Sequence, residues 1–445
     1  MRRFCAIRII GLVCGGVLIL AALAVRAEGP LTVGGPGFID GKPFRWDPAS
    51  FPLTYWTDPG PATGFALGNQ TAQQADALVA QAFQTWQDVA TASITFNAAG
   101  KLGVDITSAN YMTFDNNLED CTTAPGPPAG GIAQNRSVVY DVDGSIITAL
   151  GWDPNSLLGF ADPVCFESNG SENLYTRGLA LLNGMWIDGV NTASNGEVTL
   201  AEFRAVFIHE FGHLIGLDHS QINVNCYVGS CSPGSADAQG LPTMFPYLLQ
   251  GLELEMASLA EDDVAALSEL YPTADFSTTT GRIQGRIFFS DHVTQVQGLN
   301  VIARLVSDPR RTAASSVSGF LFTADEGNPV YPWQGSPFGS HDETLIGYYE
   351  IPGLSPGDYT IEVEAINPDF TEGSGVGPIT SYGIVFPIPG NCATEFANTS
   401  PPESDSDSCT DQTPVTVNTG AVTDIGTDII LNGTPPRFDA WEDGP

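Results

Sequence analysis

The sequence predicts an α+β domain with one long chemistry-bearing helix, followed by an all-β sandwich. Three observations carry this. Between Phe51 and Ile187 short strand-like runs alternate with a segment of helical period. At Thr199 a capped helix with an apolar stripe begins. From Gly281 the texture changes to short alternating strands separated by turn residues. At 445 residues the chain has room for two or three domains with sizeable cores.

Residues 1–27 read as a secretory signal. Arg2, Arg3 and Arg8 form its basic start, Ile9 to Val25 its apolar run, and Val25-Arg26-Ala27 a small-residue cleavage site. A retained membrane anchor is the alternative, opposed by two consecutive glycines in the run and by the cleavage-like ending. Removal implies a secreted, extracellular protein without a stable membrane anchor. Residues 28–46, rich in Gly and Pro, form an N-terminal arm. Phe51–Trp56 reads as a first strand. Thr71–Val89 reads as an amphipathic helix with Ala75, Leu78, Val79, Ala82, Phe83 and Trp86 on one face. Ile94–Phe96 and Val104–Ile106 are expected as short strands, and Val138 begins an apolar strand that runs into a turn at Asp143-Gly144-Ser145. Asp141 and Asp143 in D-x-D-G leave calcium open as a second ion, against a plain turn, because the other ligands of an EF-hand loop are missing. Leu174–Ile187 is a long apolar-alternating segment.

The helix that follows organises the chain. Thr199 with Glu202 makes a capping box, Val198 with Phe203 sits at hydrophobic-staple spacing, and the helix should start near Leu200. Phe203, Val206, Phe207, Phe211, Leu214 and Ile215 recur at helical spacing and predict a buried stripe. His209 and His213, four apart, project from one face, their Cβ atoms roughly 5–6 Å apart. Gly216 allows the helix to end in the left-handed conformation, so the chain can turn and bring His219 back. Three neutral imidazoles with one coordination position left open is the arrangement of a catalytic zinc. Glu210 is not needed as a ligand and can act as base toward a water acidified by the metal. A His pair on a helix is by itself a weak pattern. Here three of the five His in the chain fall at the spacing HExxHxxGxxH with the Glu and Gly in place.

Downstream lies Thr243-Met244-Phe245-Pro246-Tyr247. The extended motif followed by a Met turn is the metzincin signature, and HEFGHLIGLDHS with MFPY resembles the matrixin branch of that family. The resemblance implies an α+β metzincin (zincin-like) catalytic domain with a mixed sheet and an active-site helix over residues 47–274, and a secreted zinc endopeptidase. His209, His213 and His219 would hold one catalytic Zn2+, Glu210 would be the general base, and Met244 would floor the site. Relatives with an additional Tyr ligand carry it two residues after the Met. Pro246 occupies that position here, which favours the type without it, and Pro246 and Tyr247 would wall the substrate pocket. In metzincins an edge strand preceding the active-site helix holds the substrate backbone by strand addition, which makes Gly178, Leu179 and Ala180, on to Leu182, candidates for that contact. The order strand, helix with A-F-x-x-W, strand is similar to the start of a matrixin domain. No Cys lies between Cys14 and Cys121, so latency through a propeptide Cys is not available in its usual form. The His that bind a second, structural zinc in matrixins are also missing.

Between His219 and Met244 runs a loop longer than small matrixins have. Ser258 to Pro272 reads as a helix with Ser258 as N-cap, early acidic residues and a closing L-Y-P that resembles the last matrixin helix. The Thr/Ser run to Thr280 then marks a boundary. Strands are expected at Arg282–Phe289, Leu299–Leu305, Gly319–Phe322, Gly347–Ile351, Tyr359–Ala365, Pro414–Asn418 and Asp428–Leu431. The stretch Gly347 to Glu364 resembles the carboxypeptidase-regulatory or transthyretin-like module, which implies an all-β immunoglobulin-like sandwich over residues 281–434 with an insertion at about 367–411. Its expected role is that of a spacer, with binding of a surface, a glycan or the substrate as alternatives. Residues 435–445 form a polar tail.

Signal removal leaves Cys121, Cys165, Cys226, Cys231, Cys392 and Cys409, an even number that suggests disulfides in an exported chain. The shortest loops pair Cys121–Cys165, Cys226–Cys231 and Cys392–Cys409. A net charge of −35 argues against nucleic acid or an anionic membrane as partner. A monomer acting on protein or peptide is expected. The rival readings are an adhesion or binding protein that keeps the fold without turnover, and a zinc hydrolase acting on another bond. The intact Glu210 speaks against the first and the Met turn against the second.

Overall fold

The computed structural model describes residues 8–10, 29–122, 132–191, 196–289, 291–322, 338–366, 395–396, 412–425 and 429–431. Residues 1–7 and 11–27 of the signal, most of the insertion with Cys392 and Cys409, and the tail lie outside the described residues. No helix among the described residues is long and apolar enough to cross a membrane.

The first part of the chain is a mixed α/β domain. In chain order it holds β1 (Phe44–Trp46), β2 (Leu53–Thr57), α1 (Ala72–Gln87), β3 (Phe96–Lys101), α2 (Tyr111–Glu119), β4 (Arg136–Asp141), α3 (Ser145–Ala149), β5 (Gly159–Ser168), β6 (Asn173–Asn183), α4 (Leu200–Leu214) and α5 (Glu261–Leu270). Strand β6 pairs in parallel with β1 and β4, β4 with β2, and β2 with β3. Strand β5 alone is antiparallel and lies along the other flank of β6. Both faces of the sheet are buried. Val138, Tyr140, Ala180 and Leu182 share a core with α1 and α4, while Val139, Leu179 and Leu181 share one with α2 and α3.

The sequence places the substrate-facing edge at Gly178–Leu182, and the pairing corrects this. Strand β6 is hydrogen-bonded on both flanks, Gly178 N–H donating to Asn135 O at 2.8 Å on one side and Asn183 N–H to Leu158 O at 2.8 Å on the other. Leu179 and Ala180 are fully buried. The edge strand is β5, and it carries Pro163, a residue confined to edges because it cannot donate to an inner ladder. By the alternation of an antiparallel pair, Gly159 and Ala161, themselves buried, turn their main-chain N–H and C=O away from β6.

Helix α1 forms as expected. Thr71 and Gln74 make a capping box, and Ala75, Val79, Ala82, Phe83 and Trp86 are its buried face. Phe83 stacks on Phe211 of α4 at 4.0 Å, and the Trp86 indole donates to Ile208 O at 2.8 Å, which ties α1 to the middle of α4. Three local expectations fail. The strand near Ile94 runs over Phe96–Lys101, Val104–Ile106 is not a strand, and α5 starts after Ala260. Its start is organised by Asp263, whose carboxylate accepts from Ala260 N–H at 2.7 Å, while the Ser258 hydroxyl donates to Glu255 O. The D-x-D-G segment is a helix cap. Asp141 Oδ2 accepts from Ile146 and Ile147 N–H at 3.0 Å, and Asp143 accepts from Ser145 N–H. The bonds Cys121–Cys165 and Cys226–Cys231 are formed.

From Gly281 the chain forms β7 (Gly281–Phe289), β8 (Leu299–Leu305), β9 (Ala313–Val317), β10 (Tyr348–Leu354), β11 (Gly357–Ala365), β12 (Val415–Val417), β13 (Val422–Asp424) and β14 (Ile429–Leu431). Strands β9, β8, β11 and β12 make an antiparallel sheet, with Glu395–Phe396 also against β11. Strands β10, β7, β13 and β14 make a second sheet in which β13 and β14 run parallel to β7. Ile283, Ile287, Tyr349 and Ile351 from one sheet and Val301, Ala303, Ile361 and Val363 from the other fill one core, as a sandwich requires. The expected strand at Gly319–Phe322 is a turn, and β9 takes its place. Ala265 of α5 is buried in this second core. The two parts are therefore packed together.

Candidate metal centre

Helix α4 begins where its cap dictates. Thr199 N–H donates to Glu202 Oε2 at 2.6 Å and Glu202 N–H to Thr199 Oγ1 at 3.3 Å. It ends at Ile215. Gly216 follows at φ +98°, with Leu217 N–H bonded back to Gly212 O at 2.9 Å. A side chain at Gly216 would also meet the Tyr175 ring at 2.7 Å, so space and conformation both call for glycine.

That turn brings three imidazoles together. His213 Nε2 lies 3.0 Å from His209 Nε2 and 3.1 Å from His219 Nε2. All three residues are buried. His209 Nδ1 lies 2.8 Å from Thr243 O, and His213 Nδ1 lies 2.8 Å from Leu217 O. A carbonyl only accepts, so in both rings Nδ1 carries the proton and Nε2 presents a lone pair. Burial holds His209 at a pKa of about 4, against a smaller opposing effect of the Thr243 bond. Burial, then the neighbouring imidazoles, hold His213 and His219 well below the ordinary range. Buried lone pairs that face one another repel unless a cation sits between them. At Zn–N distances of about 2.0–2.1 Å, tetrahedral ligand atoms stand roughly 3.3 Å apart, so the spacing here fits a small divalent ion with a few tenths of an ångström of adjustment. Among the described residues this is the convergent group of three potential ligands.

Glu210, the next residue on the helix, is buried and points at the edge strand. A Cβ built on Gly159 would lie 3.0 Å from Glu210 Cγ and 3.2 Å from its Oε1. Met244 lies under the site. It is fully buried, and a Cβ on Gly212, between the two helical ligands, would meet its sulfur at 2.2 Å. The turn around Met244 is itself fixed. Asp263 accepts from Thr243 N–H at 2.9 Å and Met244 N–H at 3.0 Å, and Met244 O accepts from Ser220 N–H at 2.9 Å. Burial pushes the Asp263 carboxyl up to about 7, against three main-chain donors that favour the charged form. Pro246 is buried. Tyr247, half-buried, stacks on Tyr227 with ring centroids 5.3 Å apart, so the loop closed by Cys226–Cys231 packs on Tyr247. Tyr247–Leu249 takes Arg8–Ile10 as a parallel neighbour.

Thr243 as an orienting carbonyl, Asp263 and Gly159 escape a reading of the sequence. The signal for Asp263 was present in the acidic run Glu261-Asp262-Asp263 at a helix start. A cavity of about 420 Å³ lies apart from the three His, between the arm at Gly29–Arg45, α5 and the sandwich. No protein-family model matches the chain, and no curated protein matches it.

Proposed function

We propose that this protein is a secreted zinc endopeptidase of the metzincin type, closest in its motif to matrixins. The observation that carries the reading is the convergence of three buried imidazoles at HExxHxxGxxH spacing with Glu210 adjacent. A zinc ion held by His209, His213 and His219 would supply Lewis-acid polarisation of a carbonyl and a water of lowered pKa. Glu210 takes the proton from the attacking water and delivers it to the departing amine nitrogen. The burial of Glu210 excludes bulk solvent from that transfer. Peptide is favoured over other acyl substrates by the outward main-chain groups of Gly159 and Ala161. An extended peptide adds there as a further strand, beside Glu210, without any particular side chain being demanded. Tyr247–Leu249 accepts an extended segment, Arg8–Ile10, as a parallel neighbour and supports the same mode of recognition.

The test uses residues 28–445 beside Glu210→Ala. Both proteins should carry one zinc per chain, and only the parent should cleave a mixed peptide library, with sensitivity to chelator. Cleavage retained by the variant, or a parent that binds no zinc, would sink the reading.

A further inference from the structure

His209 and His213 each have an Nδ1 anchor on a main-chain carbonyl, whereas among the described residues nothing hydrogen-bonds His219 Nδ1. The orientation of His219 therefore rests on the chain that carries it. Within the first domain, His219 N–H donates to Asp218 Oδ1 at 2.7 Å and Ser220 N–H to Met244 O. The next side chains reach the sandwich, Ser220 through Asp262 of α5 and the others directly, although Asn223 also donates to Asp237 O at 2.9 Å. Ser220 Oγ donates to Asp262 Oδ2 at 2.5 Å, and the same carboxylate accepts Ser315 N–H at 2.6 Å and Ser315 Oγ at 3.0 Å. Gln221 Nε2 donates to Glu364 Oε1 at 2.7 Å and to Ala365 O at 2.9 Å. Asn300 Nδ2 donates to that same Glu364 oxygen at 2.9 Å. Asn223, at φ +58°, accepts from the Arg304 guanidinium at 3.0 Å and donates to Arg310 O at 2.9 Å. Ile222 packs with Ile302 and Ala313 of the sandwich.

Ser220, Gln221, Ile222, Asn223, Asn300 and Glu364 are all buried. Buried polar groups tolerate one arrangement, the one in which each finds its partner. Here the partners of the segment just after the third imidazole belong largely to the second domain. We propose that the C-terminal sandwich is a working part of the metal centre, with Glu364 and Gln221 as positioning residues that hold His219 toward the ion. The inference rests on the metal-centre reading and adds to it a role for the second domain.

The experiment compares full chains carrying Glu364→Leu and Glu364→Gln with the parent. Leucine keeps the bulk and removes the acceptor; glutamine keeps an oxygen for Gln221 and Asn300. Zinc affinity is measured by competition with a chromophoric chelator, and ligand geometry by the visible spectrum of the cobalt-substituted protein. Glu364→Leu should raise the zinc Kd about tenfold, the scale of a lost orienting contact, and alter the cobalt spectrum. Glu364→Gln should follow the parent. Should the leucine variant fail to fold, Ile302→Ala hollows the contact under Ile222, keeps every hydrogen bond, and is read in the same way. A parent-like Kd and cobalt spectrum in the folded variant overturns the inference, as does equal loss in both Glu364 variants. If the parent binds zinc and the variants do not differ, only this inference fails. If the parent binds none, the metal centre itself fails.

Discussion

A single methyl group at position 159 decides whether Glu210 keeps its place. A Cβ there would lie 2.9 Å from Leu181 O and 3.0 Å from Glu210 Cγ. The carbonyl belongs to the neighbouring strand of an intact ladder and has nowhere to retreat, so the carboxylate must move. Gly159→Ala should therefore lower kcat by about ten- to a hundredfold, the cost of misplacing a catalytic group by something near 1 Å. Zinc content should change little, because no ligand is touched. Steady-state kinetics with metal analysis checks this, and an unaltered kcat would contradict the placement of Glu210 against the edge strand. The imidazoles were legible in the sequence for a simple reason. Two lie on one helix face, the third follows a glycine turn, and all their geometry is local. Thr243 and Gly159 reach the site only through tertiary packing, which no short motif encodes.

Elements were legible where one period dominated. Helices α1 and α4 carry both a capping box and a continuous apolar face, and both formed within two residues of expectation. The edge strand was misplaced although its signals were present. Gly178-Leu179-Ala180-Leu181-Leu182 is an uninterrupted apolar run, as expected of a strand buried on both faces, whereas Gly159–Ser168 carries Asp162-Pro163 and alternates toward solvent. Two disulfides constrain elements on either side of this sheet. Cys121–Cys165 closes 44 residues and ties the end of α2 to β5, while Cys226–Cys231 closes 5 within the loop over Tyr247. Loop-closure entropy assigns about 4 kcal/mol to the first and about 2 kcal/mol to the second. Replacing each pair by Ser should thus lower the melting temperature more for Cys121/Cys165. The smaller bond should act on peptide binding instead, because Tyr227 is then free to leave Tyr247. Denaturant melts and KM values for the two double variants test this ordering, and a larger stability loss from the short loop would refute it.

At the scale of the molecule, the docking of the two domains was not legible, because its carriers are isolated polar residues scattered over loops and strands. Their burial nonetheless leaves a measurable trace in the pH dependence of stability. Burial is the main cause that raises Glu364 from 4.5 to about 7, with Glu362 adding to it and Gln221, Asn300 and Arg304 opposing it. A carboxyl whose folded pKa is raised binds its proton more tightly in the folded state. Its contribution is complete below about 4.5 and is lost as pH rises to about 7. Asp58 and Asp263, raised to about 7, and Asp141, raised to about 6, act in the same sense. The His triad, depressed by burial, acts in the opposite sense. Parent and Glu364→Gln share all of these, so their difference isolates one group. The glutamine stays neutral at every pH. Its stability relative to the parent should therefore climb by a few kcal/mol between pH 4.5 and 7.5 and level off beyond. Denaturant unfolding of both proteins with a saturating chelator removes the metal from the comparison. A difference that stays flat across that interval would mean that Glu364 is already charged at low pH, and that the contact between the domains is held by an ion rather than by a neutral hydrogen-bonded carboxyl.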